Sequence, residues 1–128
     1  MKILRKKKLS SGKVCILIES RTQAMSEAEG KHYIVTIPVD LQKPDGKGYL
    51  RRNLNELERA QAYLFAEACG MSHSMKLGRR GYYRIEINGP NASSQKHLHF
   101  HVIVGKVGFT FRRSVDSIKK IELEKNAA

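Results

Sequence analysis

Residues 96–104 read KHLHFHVIV, with histidines and apolar side chains alternating from His97 to Val102. Leu98, Phe100, Val102 and Val104 interleave with His97, His99 and His101. Successive side chains of a strand point to opposite faces. The pattern therefore predicts a strand with one apolar face on a core and three imidazoles in a row on the other. Residues 82–88 (YYRIEIN) alternate in the same way, with Tyr83, Ile85 and Ile87 set against Tyr82, Arg84, Glu86 and Asn88. Residues 13–20 (KVCILIES) and 31–39 (KHYIVTIPV) are rich in β-branched side chains and predict two further strands. The polar stretch 21–30 joins them as a long-looped hairpin, and Pro38 stops the second because proline cannot donate to a ladder.

The period changes after the turn-rich segment 42–48 (QKPDGKG). Leu57, Ala60, Leu64 and Ala68, with Phe65 beside them, recur at spacings of three and four. This predicts one amphipathic helix, capped by Asn53 or Asn55 and closed by Gly70. Residues 71–81 read as a basic connector containing His73, and 89–95 as a polar loop. A short strand over 109–113 and a terminal helix over 114–125 complete the expected order. The expected fold is a single α+β domain: an antiparallel sheet of about five strands with one principal helix packed on it.

Composition adds charge to this picture. The 128 residues carry a net charge of +12, which attracts polyanions such as nucleotides and nucleic acid. Residues 1–12, with Lys2, Arg5, Lys6, Lys7 and Lys8, read as a basic N-terminal arm, solvated and partly disordered. Cys15 and Cys69 form no CxxC and no disulfide framework, so a reducing, cytoplasmic setting is the simplest inference. No secretion signal and no membrane-spanning run is expected.

Three histidines at period two share one face, roughly 6.5–7 Å apart along the backbone. One phosphate or one metal ion can touch two of them at once. Crowded imidazoles resist simultaneous protonation, so at least one stays neutral and nucleophilic near pH 7. A protonated neighbour then serves as general acid or as a partner for phosphate oxygens.

The run His97-Leu98-His99-Phe100-His101-Val102-Ile103 resembles the signature of the histidine triad family of nucleotide hydrolases and transferases. Asn88-Gly89-Pro90-Asn91-Ala92 is similar to the segment that precedes the triad in that family. The run from His32 to Pro38 is similar to its His-x-Leu-Val-Ile-Pro strand. The resemblance covers about residues 13–113, leaving 114–128 as a terminal helix or tail. It implies that His99 attacks the α-phosphate of a nucleoside 5′-phosphate conjugate: a phosphoramidate, a dinucleoside polyphosphate or an adenylylated polymer. His101 would contact the phosphate and leaving group, and His97 would orient the others. Asn88, Ser94 and Gln95 fall where the family touches phosphate or the triad, and Glu19 where it binds ribose. No metal and no cofactor is implied, and a homodimer is.

The rival reading is a metal-dependent single-strand DNA nicking module, which this sequence also resembles. Thr36-Ile37-Pro38, Glu86 and His99-Phe100-His101 would take its parts, with Tyr49 as the candidate nucleophile in a relaxase-like order. The basic charge fits that reading. A third class is a nucleotide- or nucleic-acid-binding module without turnover. His32 and His73, distant in sequence from the row, read as cap, loop or core residues.

Overall fold

In a computed structural model, residues 1–23, 25–87 and 97–106 are described. Five strands, β1 (Arg5–Lys8), β2 (Val14–Glu19), β3 (Gly30–Thr36), β4 (Tyr83–Glu86) and β5 (His99–Gly105), form one antiparallel sheet in the order β1-β2-β3-β5-β4. The helix α1 (Glu56–Lys76) lies between β3 and β4 in sequence and packs on one face of the sheet. The chain is thus a small α+β domain. The expected strand over 109–113, the terminal helix and the loop 89–95 lie outside the described residues.

Alternation sets the two faces. Cys15 and Leu17 of β2, Tyr33 and Val35 of β3, and Phe100, Val102 and Val104 of β5 pack with Leu98 under α1 as the core. On β4, Tyr83 and Ile85 sit opposite Val104 and Val102 and join that core, while Arg84 and Glu86 take the other face.

The helix departs from expectation in three ways, each with a physical cause. Its anticipated apolar stripe faces solvent: Leu57 and Leu64 are 58% and 60% exposed. The buried side is Ala62, Phe65, Ala66, Cys69, Gly70 and Ser74. Small side chains there let the helix axis approach the sheet closely, so residue size misleads about which side is inward. Secondly, Gly70 does not end the helix. A Cβ at Gly70 would stand 2.5 Å from Cδ2 of Tyr83, so this glycine marks close contact with β4. The helix runs one and a half turns further and stops at Gly78, whose φ of 82° is the left-handed conformation that terminates helices. His73 is therefore helical, with its ring 4.5 Å from that of Tyr33. Thirdly, the cap is Asn55: its side chain accepts from the Glu58 amide while Glu58 Oε1 accepts from the Asn55 amide, a complete capping box.

The basic opening segment is a strand where a disordered arm was expected. Leu9 is buried at 3% exposure and Gly12 turns with a φ of 94°, closing a hairpin through Leu9 N–H to Lys13 O. Ladder bonds to β2 then hold Arg5–Lys8 at the sheet edge with all four side chains exposed.

Candidate functional site

The face away from α1 carries the histidines. β5 brings His99 and His101 onto it, and His97, two residues before the strand, joins them; Leu98 and Phe100, 2% and 3% exposed, anchor the run. Thr36 of β3 lies opposite His99, and its Oγ donates to the Leu98 carbonyl at 3.1 Å. The segment before α1 crosses His97: Leu98 N–H donates to Tyr49 O, and Leu50 bridges to His97. Gly48 permits the crossing, since a Cβ there would lie 2.9 Å from His97 Cδ2 and 3.1 Å from Thr36 Oγ1.

The row has four members. The His97 and His99 rings meet edge to face with centroids 4.2 Å apart, and His99 and His101 stand at 6.4 Å. Beyond His101 comes His32 of β3, whose Nε2 lies 2.9 Å from His101 Nδ1. The sequence order hides this residue. Its signal is only its even spacing to Ile34 and Thr36, which puts it on the histidine face. Gln23 fixes the His32 backbone, accepting from its N–H at 2.8 Å and donating to its carbonyl at 2.9 Å.

Burial lowers the proton affinity of all four rings. His99 is pushed down to about 4 by burial first and then by His97 and His101. His97 is lowered by burial, and His101 likewise, with Glu86 opposing. His32 is lowered by burial and then by His101. The Thr22 carbonyl opposes this, close to the ring though outside hydrogen-bond geometry to the buried Nδ1. At neutral pH the row is a set of uncharged imidazoles. A neutral imidazole carries one N–H, so His32 and His101 share one proton across their contact. With that proton on His32 Nε2, His101 keeps its own on Nε2, where it is a hydrogen-bond donor.

A cleft of about 290 Å³ opens beside the row. His97 and His99 line it; His101 does not, lying on the far side near Glu86. Ile18 and Ile34 supply an apolar floor, Ser20, Thr22 and Thr36 supply hydroxyls, and residues 44–46 form a wall. Arg21 pairs with Asp45 across its mouth. Glu19 borders the cleft, but strand alternation puts it opposite Tyr33 on the helix face, where its carboxylate meets Lys31 at 3.1 Å. The hydroxyl of Ser20, one residue on, is the polar group that the strand directs to the histidine face. Asn88, Ser94 and Gln95 lie outside the described residues.

Glu86 sits opposite His101 across β4–β5, but its carboxylate binds Arg84 at 2.9 Å. Among the described residues no three His, Cys, Asp or Glu side chains converge to hold a metal ion. Tyr49 packs against the core with Lys13 over its ring, away from the cleft. No protein-family model, curated protein or solved structure matches the chain. Among the described residues no helix is long and apolar enough to cross a membrane.

Proposed function

We propose that the chain is a nucleotide hydrolase or nucleotidyl transferase of the histidine triad type. The observation that carries this reading is His99: a neutral imidazole, between two other imidazoles, bordering a cleft with an apolar floor and a hydroxyl-lined wall. The cleft is at the small end of ligand sites, about 300–1,000 Å³, and suits a mononucleotide moiety better than a larger ligand. The base would lie over Ile18 and Ile34, with the α-phosphate toward His97 and His99. A nitrogen of His99 attacks the α-phosphorus, forming a P–N bond as the bond to the leaving group breaks. The leaving group departs with a proton from the His101–His32 pair in its singly charged imidazolium form, which the bound phosphate's negative charge favours, and the pair is left neutral. Water then attacks the phosphorus, releases the nucleoside monophosphate and returns a proton to the pair. His97, held by the Gly48 crossing, orients the His99 ring.

The test is release of AMP from a panel of adenylyl conjugates, with and without EDTA. Release that persists in EDTA and falls about a thousandfold or more in His99→Ala supports the reading. The second reading, a nicking module using His99, His101 and Glu86, draws on the cross-strand placement of Glu86 beside His101. Manganese-dependent cleavage of single-stranded DNA, with protein linked to the DNA through a tyrosine, would replace the first reading with the second. Nucleotide binding with no turnover of any conjugate would leave a binding module.

A further inference from the structure

The basic edge strand is a feature that this chemistry leaves unused. Arg5, Lys6, Lys7 and Lys8 are all exposed, yet they are held in a paired strand. Register divides them: Arg5 and Lys7 lie opposite Leu17 and Cys15 on the helix side, Lys6 and Lys8 opposite Ile16 and Val14 on the histidine side. Same-side cations thus repeat about every 6.7 Å. Among the described residues no carboxylate pairs with Lys6, Lys7 or Lys8 within 4 Å.

Two clefts border this strand. One, about 220 Å³, has Arg5, Lys6 and Lys7 along one wall and Leu64, Phe65 and Ala68 along the other. The second, about 780 Å³, shares Arg5 and Ala68 and continues to Met71, His73 and Lys76. Neither is lined by an Asp or a Glu. The field there acts on His73, whose proton affinity is lowered by burial first and then by Lys76 and Arg5. Four consecutive exposed cations on one strand repel one another. A polyanion relieves that repulsion.

We infer that the β1 edge and the groove between β1 and α1 bind single-stranded nucleic acid, with phosphates on Lys6, Lys7 and Lys8 and bases against Leu64 and Ala68. Arg5, Lys6 and Lys7 line concave clefts against α1 while Lys8 continues the row along the edge, which fits a thin flexible strand better than a planar bilayer. Exposed apolar side chains beside them give bases a surface that a purely acidic peptide would not use. Lys6 also lies in one cross-strand row with Ile16, Thr36 and His99, about 14 Å from His99, so the strip adjoins the candidate active face. The inference does not depend on the triad chemistry.

The experiment is fluorescence anisotropy of a labelled 20-nucleotide single strand against the full chain, from 50 to 200 mM salt. Substituting Lys6, Lys7 and Lys8 together by Gln should weaken binding at 50 mM salt by more than tenfold. It should also flatten the slope of log affinity against log salt by about 2, three contacts at about 0.7 each. The same charge change at Lys43, Arg52 and Arg80 should leave affinity within about threefold and the slope nearly intact. Photo-crosslinking of a thiouracil-bearing strand to the unaltered chain should map to residues 2–9 and α1, a result independent of variant folding. Equal losses in the two triple variants, crosslinks elsewhere, or equal binding of a polyglutamate of matched length would overturn it.

Discussion

The imidazole of His99 loses its proton far below the ordinary histidine range because water is scarce around it and two neighbours compete for the same charge. That has a kinetic consequence. An unperturbed nucleophilic histidine would be half protonated near pH 6.5, and activity would halve there. With His99 at about 4, the acid limb of kcat/KM moves down, and the rate with an adenylyl conjugate should hold from pH 7 to about 5 before the nucleophile is lost. A limb at pH 6.5 would show the nucleophile to be solvated. The His101–His32 contact makes a second claim at this scale. His32→Gln keeps a polar side chain of similar reach but removes the shared proton, so it should lower kcat by about ten- to a hundredfold with KM little changed. His32→Gln should also change the pH profile, whereas a merely structural role would lower the protein's Tm and leave the profile alone. The cysteines predict inertness. Burial pushes Cys15 up to about 12 and Cys69 to about 11, so neither thiol should react with iodoacetamide in the native chain at pH 8, and both should in urea.

At the scale of elements, α1 shows what the chain conveys by pattern and what it does not. Strand alternation is read without knowing the partner, because period two fixes which side chains share a face. The histidine face, the apolar face of β5 and the split of β4 followed from that. The inward side of α1 did not follow, because Leu57 and Leu64 outweigh Ala62 and Ala66 in any count of hydrophobicity while the sheet selects for small size. His32 was read as a cap, loop or core residue for a related reason: it lies 69 residues from His101 in sequence, and only the β3–β5 register joins them. Glu19 and Ser20 show the cost of a one-residue ambiguity, since adjacent positions on a strand face opposite ways. Gly70 tests this account. Ala is the better helix former by about 1 kcal/mol, so Gly70→Ala would stabilise a solvent-facing turn. Here the added methyl meets the Tyr83 ring, and the substitution should instead destabilise by about 1–3 kcal/mol in urea titration. Leu64→Ala, on the outer side, should cost no more than about 0.5 kcal/mol. The opposite ranking would put the helix the other way round.

For the whole molecule, stability is tied to pH through two separate sets of groups. His32, His73, His97, His99 and His101 hold protons less tightly folded than unfolded, burial being the first cause in every case. Below the unfolded value near 6.5 the unfolded chain therefore takes up more protons, and stability falls as pH drops, for His99 until about 4. Glu58 works in a lower window. Lys13 first, then the Asn55 amide and the Ser11 hydroxyl, hold its carboxyl down to about 2. Its contribution is complete above the unfolded value of 4.5 and is lost between 4.5 and about 2. The protein's Tm should accordingly decline from pH 6.5 in two stages. His99→Gln should make the first stage shallower, the other four histidines remaining, and leave the second. Glu58→Gln should flatten the second and leave the first, at the cost of a lower Tm at neutral pH, because the capping box and the Lys13 contact go with it. The excess positive charge grows in acid and adds a self-repulsion that salt screens, so the measurement belongs at 0.5 M salt, where the site-specific stages remain. A Tm that is flat from pH 7 to 4.5 would mean that the histidine row is solvated and protonates freely. The sheet face would then hold a charged patch in place of a neutral nucleophile.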